Sequence, residues 1–315
     1  MSVTRRAVLA ALAAAGLAGC DARSGPPAAS LSRRTTPSDI EPPSRTPLAG
    51  RRTGPEPAAP AMTRAAVVAR YGSARPTSWG FDAPGVLTAL PPSPPPSASP
   101  SRRAIALTFD ACGGPGGSGY DKDLIGFLRS RKVPATLFIN SRWIDAHPAV
   151  FRDLAVDPLF EIANHGTRHR PLSVSGRSAY GIPGTRDAGE VFDEVAGNHR
   201  DLTRLLGSAP RYFRSGTAYY DDVAARIVGA VGERPVSFTV NGDGGATFTP
   251  EQVHTTVVAA RPGSIVIGHM NQPTGGTAEG IATAVPQLLA SGHHFVRLSD
   301  TTGPSAPLTR PGRRG

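Results

Sequence analysis

Cysteine is nearly absent from this 315-residue chain, which holds only Cys20 and Cys112. Cys20 falls in an N-terminal address segment, so Cys112 has no partner left. A disulfide framework is excluded, and stability must come from a packed core. Long apolar runs are also lacking: the stretch after Arg6 is too short to span a bilayer. Charge of one sign is missing where a nucleic-acid groove would need it. The formal net charge is +10, but residues 1–103 hold 13 Arg, no Lys and 5 acids, and the tail from Gly303 adds three Arg. Residues 104–302 are left with 18 basic and 19 acidic side chains. Basicity therefore belongs to the ends, and no nucleic-acid partner is expected. Attraction of those ends to anionic lipid or wall polymer is the simpler reading.

Residues 1–19 read as an export signal. Thr4-Arg5-Arg6-Ala7-Val8-Leu9 carries the paired arginines of twin-arginine export, and Leu17-Ala18-Gly19-Cys20 resembles the lipobox of bacterial lipoproteins. On that reading Cys20 carries the lipid, and the protein is held outside the cytoplasm. Cleavage near Ala18 would instead release a secreted protein. Residues 20–102 are rich in Pro, Ala, Ser and Arg, including Pro91-Pro92-Ser93-Pro94-Pro95-Pro96, and read as a tether. Within it, residues 65–90 hold aromatic and aliphatic anchors, among them Tyr71, Trp79, Phe81 and Leu87, that would allow docking on a folded domain. Residues 301–315 read as a basic disordered tail.

From Arg103 to about residue 300, apolar runs alternate with amphipathic stretches. Strands are predicted at 104–109, 134–139, 159–163, 211–213, 236–240, 264–267 and 294–297, with helices at 121–131, 148–156, 187–206, 221–231, 250–260 and 277–290. This α/β alternation makes about seven βα units, which predicts a parallel sheet wrapped by helices. Asp110, His165, Arg214, Asn241, Asp243 and His269 all fall at predicted strand carboxyl ends. In a barrel those ends converge on one rim, whereas in an open sheet the outermost would lie too far apart. A deformed, incomplete (β/α) barrel is the expected fold.

His165 and His169 stand four residues apart after a short apolar run. Across one helical turn both imidazoles would face the same way, each able to reach one metal ion about 2 Å away.

Taken together, these stretches resemble the polysaccharide deacetylase family, carbohydrate esterase family 4. The likeness covers about Arg103 to Leu298. Thr108-Phe109-Asp110-Ala111-Cys112 matches the family's Thr-Phe-Asp-Asp-Gly, and His165-Gly166-Thr167-Arg168-His169 its His-Ser/Thr-x-x-His. Arg214-Ser215-Gly216-Thr217 stands for its Arg-x-Pro motif without the proline. Val240-Asn241-Gly242-Asp243 matches its Asp-rich strand end loosely, and Ile265-Val266-Ile267-Gly268-His269 its aliphatic strand ending in His. The resemblance implies a metal-dependent hydrolase that removes N-acetyl groups from the amino sugars of a wall-type or chitin-like polysaccharide. It implies Asp110 as base, His165 and His169 as ligands of a divalent metal (zinc), His269 as general acid and Arg214 as the group that orients Asp110. A monomer is expected.

One departure matters. The family's third metal ligand is the second Asp of its first motif, and here that position is Ala111. Three outcomes stay open: Asp110 ligates the metal itself, Cys112 supplies a thiolate from the same side of the strand, or the domain only binds glycan. Cys112 also reads as a small core residue. Asp243 is a candidate acceptor near Arg214 and Asp110, or simply a turn former in Asn-Gly-Asp-Gly-Gly. Trp143, Tyr219 and Tyr220 are candidates for stacking on sugar rings or for core packing. The remaining histidines receive no role.

Overall fold

The computed structural model describes residues 61–91 and 103–301. The signal, Cys20, most of the Pro-rich stretch and the basic tail lie outside the described residues. Where composition read as tether, residues 61–91 are ordered elements of the fold. Thr63 caps helix α1 (Arg64–Tyr71), which buries Val67 and Tyr71, and strand β1 (Trp79–Gly80) follows.

The repeating units begin with β2 (Ala104–Ala111), α2 (Lys122–Ser130), β3 (Ala135–Ile139), α3 (Ser141–Ala146), α4 (Pro148–Ala155) and β4 (Phe160–Asn164). Then come α5 (Ala188–Leu206), β5 (Tyr212–Phe213), β6 (Tyr220–Asp221), α6 (Asp222–Val231), β7 (Arg234–Pro235) and β8 (Val240–Asn241). The last are α7 (Pro250–Val258), β9 (Ile265–His269), α8 (Thr277–Ala290), β10 (His294–Phe295) and α9 (Leu298–Thr301). Short polar caps start the major helices: Asp121, Asp187, Asp221 and Thr249 each accept a backbone N–H from the first turn. Among the described residues no helix is long and apolar enough to cross a membrane.

Seven strands pair in the order β7-β5-β4-β3-β2-β9-β8, and β10 pairs with β2. Every pairing along this path is parallel. The sheet curls into an incomplete (β/α) barrel, as the strand-end pattern predicted.

The run 236–240 differs from its predicted strand. Only Val240 is strand, at the start of β8; residues 236–239 are the passage between β7 and β8, which lie at opposite edges of the sheet. Val236 N–H makes the last bond to β5, to Phe213 O at 2.8 Å, and the chain then crosses the open side of the barrel. The N-terminal segment fills that side. Leu87 donates its N–H to Pro235 O at 2.9 Å and accepts from Ser237 N–H at 2.8 Å, while Leu90 N–H reaches Gly263 O at 2.8 Å. Leu87 and Leu90 thereby join Ala104, Ala106, Phe138, Ala163, Tyr212 and Ile265 in the barrel interior.

Strand alternation decides what faces the site. Ile105, Leu107, Phe109 and Ala111 of β2 pack outward against the helices, with Leu124, Val253 and Ile281. The even-numbered Ala104 and Ala106 face inward. With a period of two, Asp110 and Cys112 point into the barrel and Ala111 points away from it.

Candidate metal centre and active site

Asp110 ends β2 with its side chain inside the barrel, only 3 % exposed. Arg214, immediately after β5 and completely buried, donates from Nη1 to Asp110 Oδ1 at 2.7 Å and from Nη2 to Thr108 Oγ1 at 2.8 Å and Ser237 O at 3.1 Å. Its guanidinium lies 4.1 Å from the Phe138 ring centroid. Burial alone would raise the Asp110 carboxyl. The adjacent Arg214, with His165 and His269 behind it, outweighs burial and holds the group below its ordinary range. Asp110 is thus a buried carboxylate kept ionised by a fixed cation. Its other oxygen, Oδ2, stands 3.5 Å from His165 Nε2.

The paired histidines do not share a helical turn. His165 follows β4 and leads into an irregular loop, in which Gly166 (φ 77°) and His169 (φ 60°) both adopt left-handed backbone. A side chain on Gly166 would meet Glu194 Oε1 at 2.5 Å. That contact explains both the glycine and the loop. Glu194, buried on α5, accepts from Arg168 N–H at 2.9 and 3.0 Å and from Arg170 N–H at 3.2 Å, so one carboxylate ties the loop down on both sides of His169. The left-handed His169 is a strained position of the kind that persists where the surroundings over-determine it. The two rings end 4.9 Å apart between centroids and nearly perpendicular, at 83°.

His165 Nδ1 is hydrogen-bonded to Arg214 O at 2.9 Å. The carbonyl can only accept, so Nδ1 carries a proton and Nε2 is the nitrogen left for a metal ion. Burial opposes the imidazolium, but Asp110 and Cys112 raise His165 above its ordinary value, so ligation would displace a proton from Nε2. Cys112 Sγ lies 3.7 Å from that Nε2. The ligand atoms of Cys112, His165 and His169 all fall within 4.8 Å of one another, a group able to hold a metal ion. Two further observations fit such an ion. His169 Nε2 is buried without a hydrogen-bond partner among the described residues, an arrangement that costs free energy unless something meets it. Burial opposes the Cys112 thiolate, yet His169, His165 and His269 together bring the thiol well below its ordinary range. Of the three outcomes left open for the missing ligand, the geometry favours Cys112. It is half-buried at the site rather than sealed in the core.

Asp243 is not a partner of Arg214 and Asp110. It accepts from His269 Nδ1 at 3.0 Å, from His269 N–H at 2.7 Å and from Thr277 Oγ1 at 2.9 Å. It also shapes the turn, accepting from Gly245 N–H. The adjacency of β8 and β9 brings Asp243 to His269, 26 residues on. Burial disfavours the imidazolium, but the Asp243 carboxylate more than offsets it and raises His269 well above the usual histidine range. Asp243 itself is held low by that imidazolium despite its burial.

Cys112, His169 and His269 line a cavity of about 430 Å³, together with Arg142, Arg168 and Asn271 among others, and Asp110, His165 and Asp243 lie buried behind that lining. Asn271 was missed from sequence. It is buried, donates to Gly117 O at 2.9 Å and keeps Oδ1 without a partner among the described residues, leaving an acceptor at the cavity wall. Trp143 and Tyr220 are fully buried core residues. Trp143 donates to Gly119 O and Tyr220 to Val236 O, so neither is free to stack on a sugar.

The family model described as polysaccharide deacetylase matches residues 97–236. No curated protein matches the chain. Among solved structures, a CE4 family pseudoenzyme from Bacillus anthracis aligns with 64 % of this chain at 21 % identity and a TM-score of 0.53. The chain spans 66 % of that structure, just under two thirds of its length. The Bc1960 peptidoglycan N-acetylglucosamine deacetylase aligns over 69 % of this chain and 92 % of its own, at 20 % identity and a TM-score of 0.52. A family 4 acetyl xylan esterase from Clostridium thermocellum, in complex with a cobalt ion, aligns over 63 % and 89 % at 22 % identity, with a TM-score of 0.50. At these identities the likeness is one of fold. Residues 97–236 therefore match the polysaccharide deacetylase family, within a curled seven-stranded sheet whose strand-end motifs stand in that family's order.

Proposed function

We propose that the domain hydrolyses the N-acetyl groups of amino sugars in a cell-wall or chitin-like polysaccharide. The observation that carries this reading is a pair of proton-handling groups at register-paired strand ends: Asp110 hydrogen-bonded to Arg214, and His269, which lines the cavity, hydrogen-bonded to Asp243. Cys112, His165 and His169 would hold the metal. A thiolate with two imidazoles suits zinc, whose catalytic sites keep three protein ligands and one open position. When bound, such an ion supplies Lewis-acid polarisation of the amide carbonyl and stabilises the charge that develops on its oxygen.

The chain's own groups do the rest. Asp110 accepts a proton from the attacking water at Oδ2, the oxygen that Arg214 does not engage. Arg214 fixes the carboxylate's orientation and keeps it ionised. His269 donates the proton from Nε2 to the departing nitrogen, because an amine leaves poorly unless protonated. Asp243 holds Nδ1–H and keeps that imidazole charged until the donation.

A non-catalytic glycan binder is the second reading, favoured by Ala111 and by the pseudoenzyme among the structural neighbours. Acetate release from N-acetylglucosamine oligomers, with zinc added to purified protein, decides between them. Release that is lost in both Asp110→Ala and His269→Ala supports the enzyme. No release, with oligomer binding intact, establishes the binder. Ester cleavage with amides untouched would assign another substrate class to the same centre. We further propose that lipid on Cys20 anchors the protein outside the cytoplasm, a reading that rests on the Arg5-Arg6 pair and the Leu17–Cys20 segment. Membrane-fraction protein that stays bound after Cys20→Ser would overturn it.

A further inference from the structure

Five of the chain's aromatic residues, out of 2 Trp, 6 Tyr and 11 Phe, gather in one patch beside the cavity mouth. Trp79 and Tyr219 stand 5.6 Å apart between ring centroids, Phe81 and Tyr219 6.2 Å, Tyr180 and Tyr219 5.5 Å. Phe81 stacks on Phe238 at 5.4 Å, with the rings only 9° from parallel. Arg177 lies over the Trp79 ring at 5.2 Å. Phe238 packs against the barrel interior, and the other rings lie outside the core clusters. Tyr180 is 76 % exposed and Phe81 39 %, and Trp79, Tyr219 and Phe238 are half-buried.

The patch is built from parts remote in sequence. The N-terminal segment supplies Trp79 and Phe81, fixed there because β1 pairs with β6. The crossing between β7 and β8 supplies Phe238. Tyr180 sits at the tip of a tight turn closed by hydrogen bonds between Ala179 and Ile182 in both directions. There Tyr180 (φ 51°) and Gly181 (φ 75°) are both left-handed. A large aromatic residue in that conformation is a strained choice for an exposed turn. Asn or Gly would serve the turn better, so the ring itself is the reason for its presence. Continuity with the active site is direct: Ile182, on the same turn, lines the cavity, and Tyr219 lies three residues past Gly216, which packs against the backbone of His169.

We propose that Trp79, Phe81, Tyr180 and Tyr219 form a platform on which further pyranose units of an N-acetylated amino-sugar strand stack, next to the unit whose acetamide enters the cavity. The chemistry matches the occupant. The C–H faces of pyranose rings pack on aromatic faces, and the indole N–H and phenol O–H offer hydrogen bonds to sugar hydroxyls at the ring edges. This inference rests on the deacetylase reading for the kind of sugar, but it predicts binding rather than turnover, so it can fail separately.

The test is calorimetric titration of the full chain with N-acetylglucosamine dimer and hexamer, and with glycan strands stripped of peptide. The unaltered protein should bind hexamer or stripped strand at least about tenfold more tightly than dimer, the gain expected from stacking two extra units. Tyr180→Ala combined with Phe81→Ala should abolish that preference, and Tyr180→Phe, which keeps the ring, should retain it. Both altered positions are exposed, and a thermal midpoint matching that of the unaltered chain confirms the fold. Loss of the length preference without any acetate release would sustain the platform while sinking the deacetylase reading. An unaltered protein that shows no length preference for either ligand, or a double variant that keeps it, would overturn the platform. So would a patch whose removal alters only self-association of the protein.

Discussion

Cys112 Sγ and His165 Nε2 stand 3.7 Å apart, joining the end of the first barrel strand to the loop after the third. Ala111 between Asp110 and Cys112 faces the helix layer. On the proposed reading, the third ligand would be one position further along the chain and a thiolate instead of a carboxylate. Cys112→Ala should weaken zinc binding by about a hundredfold or more, beyond what loss of an outer-sphere partner costs, while Cys112→Asp should retain it. Ala111→Asp should rescue nothing. It places a carboxylate at a completely buried outward position and should destabilise the fold by about 3 kcal/mol. Cobalt substitution supplies the check: the thiolate-to-cobalt absorption should be present in the unaltered protein and missing in Cys112→Asp. A thiolate band that survives Cys112→Asp would dismiss the assignment.

Asp243→Asn should lower kcat by roughly 10²–10⁴-fold, the range for removing a group that sustains general acid–base catalysis. The sign of the pH effect follows from the pair. The carboxylate raises the His269 pKa, so its removal lets the imidazolium lose its proton at lower pH. The alkaline limb of the kcat profile should move down in pH. An unmoved limb would mean that His269 is not the acid.

Much of the site was legible because barrel strands are short apolar runs ending in a polar residue. Asp110, Arg214 and His269 each close such a run, and parallel strands deliver their ends to one rim. The two-residue period also put Cys112 on the side of Asp110. Other features needed neighbours that sequence does not display. Glu194 sits in the middle of an amphipathic helix, where a glutamate ordinarily faces solvent, and only the fold turns it toward the His169 loop. Asp243 meets His269 through the β8–β9 register, whereas local sequence offered only a turn. The His-x-x-x-His spacing suggested a helix, but Gly166 and the left-handed His169 make a loop. Composition hid the N-terminal segment, since a few anchors among prolines and alanines look like tether until the open side of the barrel is known.

Glu233 lies outside the site and makes a second pH dependence, this one of stability. It is buried beside His199, whose Nδ1 lies 2.6 Å from Glu233 Oε1, and it accepts from Asn164 Nδ2 at 2.8 Å. Oε2 has no partner. Burial raises the carboxyl to about 7, against the lowering effect of His199 and Asn164. The folded chain therefore binds this proton more tightly than the unfolded chain does. The stabilisation is complete below the unfolded value near 4.5 and is lost as pH rises through about 7, a swing on the order of 3 kcal/mol. Denaturant titrations at pH 5 and pH 8 should show lower stability at pH 8, and Glu233→Gln should flatten most of the difference. If Glu233→Gln leaves the difference unchanged, the dependence belongs to other groups.

Removing residues 1–91 should cripple the domain, although the family model begins only at residue 97. The segment buries Val67, Tyr71, Ala83, Leu87 and Leu90, and its larger side chains are each worth about 1.5–3 kcal/mol when fully buried. Their sum is comparable with the whole stability of a typical domain, about 5–15 kcal/mol. The loss would fall on the open side of the barrel. There Pro235 O, Ser237 N–H and Gly263 O would lose their partners, and the interior around Phe138 and Ile265 would be uncovered. A chain starting at residue 92 should be insoluble or bind a hydrophobic dye strongly, whereas one starting at residue 60 should melt like the full chain. A soluble, cooperatively melting residue-92 start would show that the barrel closes without the segment.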